Sequence, residues 1–431
     1  MLGLFGVALA VSLSALWSTP AHADWTVPLG SPSSSSRLED LFFVNASEGC
    51  VIKFGGSFYR TTNGAVSWTH IANTPEALYR SLAFVDVQHG WIGTLTEATP
   101  LLATTDGGDT WSAVPGLAPT VKGICGMYVV NSQVVYGCGV YYGTPRVIKT
   151  TDAGASWQVM NLSALAGTLI DCYFSSPTTG IVVGGVGPFG GTTRAGVFRT
   201  TNGGMTWQTQ HVGSRQGEWC WKITFPSANV GYVSVEGQEQ AQQMVLKTTD
   251  GGITWTELLT VTNVDMQGIG FIDDTTGWVG GWEGTTSKTT DGGLSWVSDP
   301  WGENVNSFFR VSPTLAYAVG TQFHKYEVDV AAAPSLVWGA RSIDSRTIGN
   351  PFRSSTQIAY RLDENVAAHL SIYSPAGGLV CSIDAGTQAP GLHRVSWDAR
   401  DETGREVTPG VYFYRISAGT RTGGGKLQLV R

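Results

Sequence analysis

Six copies of one octapeptide constrain this chain more than any other feature. They read TTNGAVSW at 61–68, TTDGGDTW at 104–111, TTDAGASW at 150–157, TTNGGMTW at 200–207, TTDGGITW at 248–255 and TTDGGLSW at 289–296. The closing tryptophans Trp68, Trp111, Trp157, Trp207, Trp255 and Trp296 are 41 to 50 residues apart. A period of that length, filled with short strands, marks a repeat architecture whose units bury their apolar faces against one another.

Each position of the octapeptide has a local physical reason. The acid or amide at the third position (Asn63, Asp106, Asp152, Asn202, Asp250, Asp291) accepts backbone N–H bonds just downstream and closes an Asx-type turn. Glycine follows because the tip needs positive φ. The indole alternates with the preceding hydroxyl, so one faces the core and the other the turn. These residues are therefore read as folding elements rather than as a site. Ala65 replaces the second glycine of the first copy, where a looser turn is expected. Ala153 replaces the first glycine of the third copy.

A strand–turn–strand signal precedes the copies. Phe84-Val85-Asp86 leads to Gly90-Trp91-Ile92-Gly93, and Phe271-Ile272-Asp273 leads to Gly277-Trp278-Val279-Gly280. With the strand that ends in the octapeptide and the one after its Trp, each unit holds four strands, which is one propeller blade. After Trp296, three further strands appear at 308–311, 315–320 and 323–326, without an octapeptide. The segment Asp24-Trp25-Thr26-Val27-Pro28-Leu29-Gly30 resembles the fourth strand of a blade, as at 110–116. The expected fold is all-β: a seven-bladed β-propeller over 24–330, closed by its own N-terminal strand, followed by a small Ig-like β-sandwich over 341–431. Residues 331–340 read as a linker.

Residues 1–23 read as a secretory signal peptide ending at Ala21-His22-Ala23. This implies an exported protein, in the periplasm, at the cell surface or secreted. Six cysteines fit an oxidising compartment. Cys125 and Cys138 stand six residues either side of Asn131-Ser132, and a disulfide is expected between them. Cys172 and Cys220 are a weaker candidate pair, and Cys50 and Cys381 read as buried free thiols. No Cys or His spacing suggests a metal, and no cofactor is implied. Charged residues are 14% of the chain, against about 25% ordinarily. The net charge is −7 with no basic cluster, which argues against a nucleic-acid partner.

The repeated octapeptide resembles the Asp box, or BNR repeat. The units that join F-x-D…G-W-x-x-G to a box are similar to those of the photosystem II assembly and stability factor family, over roughly residues 25–328. That resemblance implies a non-enzymatic propeller that binds protein partners at the cell envelope. The appended sandwich departs from the photosynthetic members. Within it, Asn350-Pro351-Phe352, the run 356–362, Val395-Ser396-Trp397-Asp398 and Gly410-Val411-Tyr412-Phe413-Tyr414 resemble the Ig-like domain of flagellar hook-capping proteins. They also resemble type IX secretion sorting domains, which implies contact with export machinery. Asp398, Asp401 and Glu402 read as a solvated turn.

Asp boxes also occur in sialidases and xyloglucanases, so a glycoside hydrolase or a carbohydrate-binding surface protein is the alternative, with a glycan as ligand. The Arg-Ile-Pro element usual in sialidases does not occur here. Xyloglucanases resemble two propellers facing a cleft, and this chain has length for one. No catalytic residue is assigned. Binding is expected on the loop face opposite the boxes, where insertions at 185–196 and 237–243 fall. The candidate contact residues are Tyr141, Tyr142, Phe189, Arg194, Trp282 and Trp301. Trp219 and Trp221, near the same face, read as packing between blades.

Overall fold

The computed structural model describes residues 23–35, 37–71, 75–140, 142–237, 243–260, 265–282, 284–328, 343, 345–348, 352–362, 364–374, 378–419 and 421–430. The segment 1–22 expected as a signal peptide, the linker 331–340 and Tyr141 lie outside the described residues. The described residues fall into two compact units, 23–328 and 343–430.

The first unit is a ring of seven four-stranded antiparallel sheets. The innermost strands of blades 1 to 7 are Leu38–Phe43, Tyr79–Phe84, Gly126–Val129, Thr168–Phe174, Glu218–Thr224, Asp265–Phe271 and Ser307–Ser312. Each packs beside the next, and that of blade 7 packs beside that of blade 1. Blade 7 takes its outer strand from the start of the chain. Ala23–Thr26 pairs antiparallel with Phe323–Val328, with Trp25 opposite Tyr326. The ring is thus fastened by hydrogen bonds between segments about 300 residues apart, and blade 7 reaches four strands like the other six.

The boxes form one repeated hydrogen-bonded turn. In blade 2, Asp106 Oδ1 accepts Thr110 N–H at 2.9 Å, and Thr104 Oγ1 accepts Gly108 N–H at 2.9 Å. Gly108 has φ +91°, and a Cβ there would lie 2.4 Å from the Phe58 ring of the preceding blade. Trp111 then packs edge-on against Phe58 at 5.3 Å, as Trp157 does against Trp91 at 5.7 Å. The indoles are pegs between neighbouring sheets. Each box also donates to the turn between its blade's first two strands, as in Gly107 N–H to Gln88 O at 2.9 Å. Boxes and those turns therefore share a face.

Four expectations are corrected. The first box is not loosened: Ala65 takes φ +68°, its N–H still reaches Thr61 Oγ1 at 3.1 Å, and Asn63 still accepts Ser67 N–H at 2.9 Å. Its methyl is buried in the cluster with Val319 and Phe323, which offsets the strain. Cys125 and Cys138 are both free thiols. The turn is one residue longer than symmetry about Asn131-Ser132 implies, because Val129 pairs with Val135 and Gly126 with Cys138. A one-residue slip sends neighbouring side chains to opposite faces. Cys125 packs with Leu95, Val140 and Trp221, while Cys138 packs with Tyr136 and Cys172. Cys172 and Cys220 are free as well, and Cys381 is half-buried rather than buried.

The second unit is a sandwich. One sheet orders Ser345–Ile348, Thr356–Leu362 and Gly391–Trp397; the other orders Leu379–Gln388, Val366–Tyr373, Gly410–Ala418 and Arg421–Leu429. Alternation along the strands buries Ile358, Tyr360, Leu370, Ile372, Tyr414 and Ile416 around Trp397. The Trp397 indole N–H is satisfied by Arg400 O at 2.9 Å.

Candidate functional site

The inner strands carry a device the repeat motif does not announce. Those of blades 1, 2, 4, 5 and 6 each shift register near their starts, between Leu38 and Asp40, Tyr79 and Ser81, Leu169 and Asp171, Cys220 and Ile223, and Met266 and Gly268. A β-bulge re-aims side chains beside it. Around the axis these bulges form a layer of polar residues that includes Glu39, Asp40, Arg80, Asp171, Lys222 and Gln267.

On the loop-face side of this layer the polar groups form one connected network. The Glu39 carboxylate is fully buried and holds Arg37 through Nε at 2.9 Å and Nη2 at 3.0 Å. It also pairs with the buried Arg80 guanidinium. Arg80 lies over the Trp221 ring, 4.7 Å from its centre, and Arg37 lies over Trp282 at 5.1 Å. Arg37 donates further to Gln267 Oε1. Gln267 Nε2 reaches Glu236 Oε1 at 3.1 Å, and Trp219 Nε1 reaches Glu236 Oε2 at 3.0 Å. Trp219 packs on Phe189 at 4.5 Å. Burial pushes the Glu236 carboxyl up, against the bonds from Gln267 and Trp219. Phe189 and Trp282 are thus the two exposed ends of one chain of contacts, at 39% and 38% exposure.

The other sequence candidates lie elsewhere. Arg194 is bound to its own blade's rim, donating to Gly213 O at 2.7 Å. Trp301 is not a surface aromatic; it stacks on Trp25 at 4.2 Å in the seam. Tyr142 is exposed, and its hydroxyl donates to Leu95 O at 3.4 Å; Leu95 packs in one cluster with Trp219 and Trp221. Trp219 and Trp221 are buried at 3% and 6%. Arg37, Glu39, Arg80, Glu236 and Gln267 were not anticipated. For Glu39, Arg80 and Gln267 the signal is a charged or amide residue within an apolar inner strand, as in Leu38-Glu39-Asp40-Leu41, and it shows only when the seven inner strands are aligned; Arg37 precedes such a strand and Glu236 lies on the second strand of its blade, Gly231–Gly237.

On the box-face side of the layer the axis is open. A cavity of about 430 Å³ runs from Asp40, Asp171, Lys222 and Ser307 to Val44, Val85 and Val129, at the box-face ends of the inner strands. Its walls include Phe42, Tyr128, Phe308 and Phe309. Asp40 ties three blades together: it accepts Leu82 N–H at 2.9 Å and Ser307 Oγ at 2.6 Å. Asp171 does the same for blades 4 and 5 through Ile223 N–H at 3.1 Å. Burial raises the Asp171 carboxyl, in part offset by Lys222. Burial alone would lower the Lys222 ammonium, but Asp40 and Asp171 outweigh it and raise its pKa. Among the described residues no group of three His, Cys, Asp or Glu is placed to hold a metal ion.

Solved propellers resemble this chain in fold. YCF48 bound to D1 peptide superposes with a TM-score of 0.54 and 18% identity, over 74% of this chain and 99% of that one. YCF48 from Cyanidioschyzon merolae gives 0.53 and 18%, over 70% and 98%. A GH74 xyloglucanase from Xanthomonas campestris gives 0.53 and 12%, over 80% and 60%. At these identities the likeness shows a β-propeller and no particular family. Residues 345–423 match the FlgD Ig-like domain model. No curated protein matches the sequence.

Proposed function

We propose that this chain is a non-catalytic, exported binding protein whose propeller captures a protein partner at the loop-face end of its axis. The observation that carries the reading is the network from Phe189 to Trp282. Its interior is buried and paired, so it does not adapt to solvent, and it fixes two exposed aromatic rings and a half-buried guanidinium at one opening. Rigid aromatic anchors with arginine beside them are the usual composition of interface hot spots. Such rings lose little side-chain entropy on binding because packing already holds them. A YCF48 propeller binding a peptide from D1 is consistent with this use of the fold. The Ig-like domain is proposed as the element that export or surface machinery handles.

The test is capture from a native envelope fraction by the immobilised mature chain, compared with Phe189→Ala and Trp282→Ala. Both variants should retain the thermal midpoint of the parent, since both side chains are part-exposed, and lose at least tenfold in partner recovery. Equal recovery by the parent and both variants would exclude the loop face as the contact surface.

A further inference from the structure

The axial cavity on the box face is separate from the network proposed above, and its chemistry is different. Its deep end holds two carboxylates and one ammonium. Asp40 and Asp171 are each engaged in tying neighbouring blades, which accounts for their burial. Lys222 supplies their countercharge but makes no close side-chain hydrogen bond to either. Its ammonium carries three donors, yet its nearest carboxylate oxygen, on Asp40, is 4.0 Å away, too far for a hydrogen bond. The side chain is 14% exposed and lines the cavity. Its donors therefore face the cavity, where an occupant competes with water for them.

The charges narrow what that occupant is. An anion at Lys222 would face both carboxylates; a second cation would be drawn to the carboxylates, but it would face Lys222 and has nothing with which to accept from it. A neutral polar group meets neither repulsion. It must accept from Lys222, and it gains by donating to the adjacent carboxylates, whose oxygens each accept more than one bond. A vicinal diol presents an acceptor and a donor on neighbouring atoms. The walls complete the match: Phe42 and Phe309 meet edge-on at 5.1 Å on one side, and Tyr128 stands on another. Apolar rings above a few convergent polar groups, in about 430 Å³, are the usual form of a small-ligand pocket. We infer that the axial cavity binds a neutral saccharide, with Lys222 donating to a ring hydroxyl and the aromatic walls covering the sugar's C–H face.

The test uses the full mature chain and a panel of neutral probes: glucose, galactose, mannose, cellobiose and maltose. Saturation-transfer NMR finds the binders and calorimetry ranks them. At least one should bind, and Lys222→Met should weaken it at least tenfold. Should Lys222→Met fail to fold, Tyr128→Ala, which changes the wall and leaves the charges intact, should weaken binding by a similar factor. Acetate and n-butylamine at equal concentration should not compete. Tighter binding of the disaccharides would assign the end of a glycan, and equal binding a free monosaccharide. The inference is overturned if no saccharide binds, if both variants bind as the parent does, or if either charged probe displaces the sugar. None of these outcomes bears on partner capture at the opposite face.

Discussion

Trp25 stacks face to face on Trp301, with ring centres 4.2 Å apart and planes 16° from parallel. Trp25 belongs to the strand that closes blade 7, and Trp301 to the outer strand of blade 6, Val297–Glu303. Trp25 also meets Trp278 edge-on at 5.4 Å. The seam of the ring is therefore an aromatic cluster as well as a β-ladder. Trp25→Ala should lower unfolding free energy by about 3–5 kcal/mol, as for other large-to-small aromatic truncations. Urea denaturation followed by tryptophan fluorescence measures it, and an unchanged midpoint would mean that the first strand does not hold the ring closed.

Glu39 is the carboxylate shared by two guanidinium groups in a region with almost no water access. Glu39→Gln should cost about 3–5 kcal/mol, the usual penalty for leaving a buried charge without its partner. Adding Arg80→Met should restore part of the loss, because the uncompensated charge is then removed. A double-mutant cycle on denaturation midpoints reads this directly. Strict additivity of the two changes would contradict the pairing.

His324 is buried beside Trp301, at 4.8 Å between ring centres, and burial lowers its pKa to about 4. In the unfolded chain it titrates near 6.5. Its folded pKa is the lower of the two, so its contribution is complete above about pH 6.5 and is lost as pH falls towards 4. The loss is about 3 kcal/mol for a shift of this size. His324→Phe should flatten that part of the stability–pH curve. The remaining slope belongs in part to His211, which burial also lowers.

A binding role implies no glycoside turnover. The chain should release no fluorophore from sialosides or β-glucans above the uncatalysed rate. Turnover that vanishes with Asp171→Asn would instead make the axial carboxylates catalytic and overturn the binding reading.

What could be read from the sequence and what could not divides along the range of the interactions. The blades were legible because a box is local: Asp250 binds the N–H of Thr254 four residues away, and Trp255 follows at once. The closing strand was legible because Trp25 repeats the pattern of a fourth strand. The cysteine pairing was misread because one extra residue in the turn after Val130 changes which face a side chain takes, and composition does not reveal that residue. The axial network was not legible at all. Arg37 and Gln267 are 230 residues apart and meet only once seven blades close. The same holds for Asp40 and Ser307, 267 residues apart. The sequence by itself determined a ring of box-stapled blades and a β-sandwich, since backbone turns and strand alternation act over a few residues. Only the tertiary structure decided which charges face the axis, because bulges aim them there and closure of the ring brings their partners within reach.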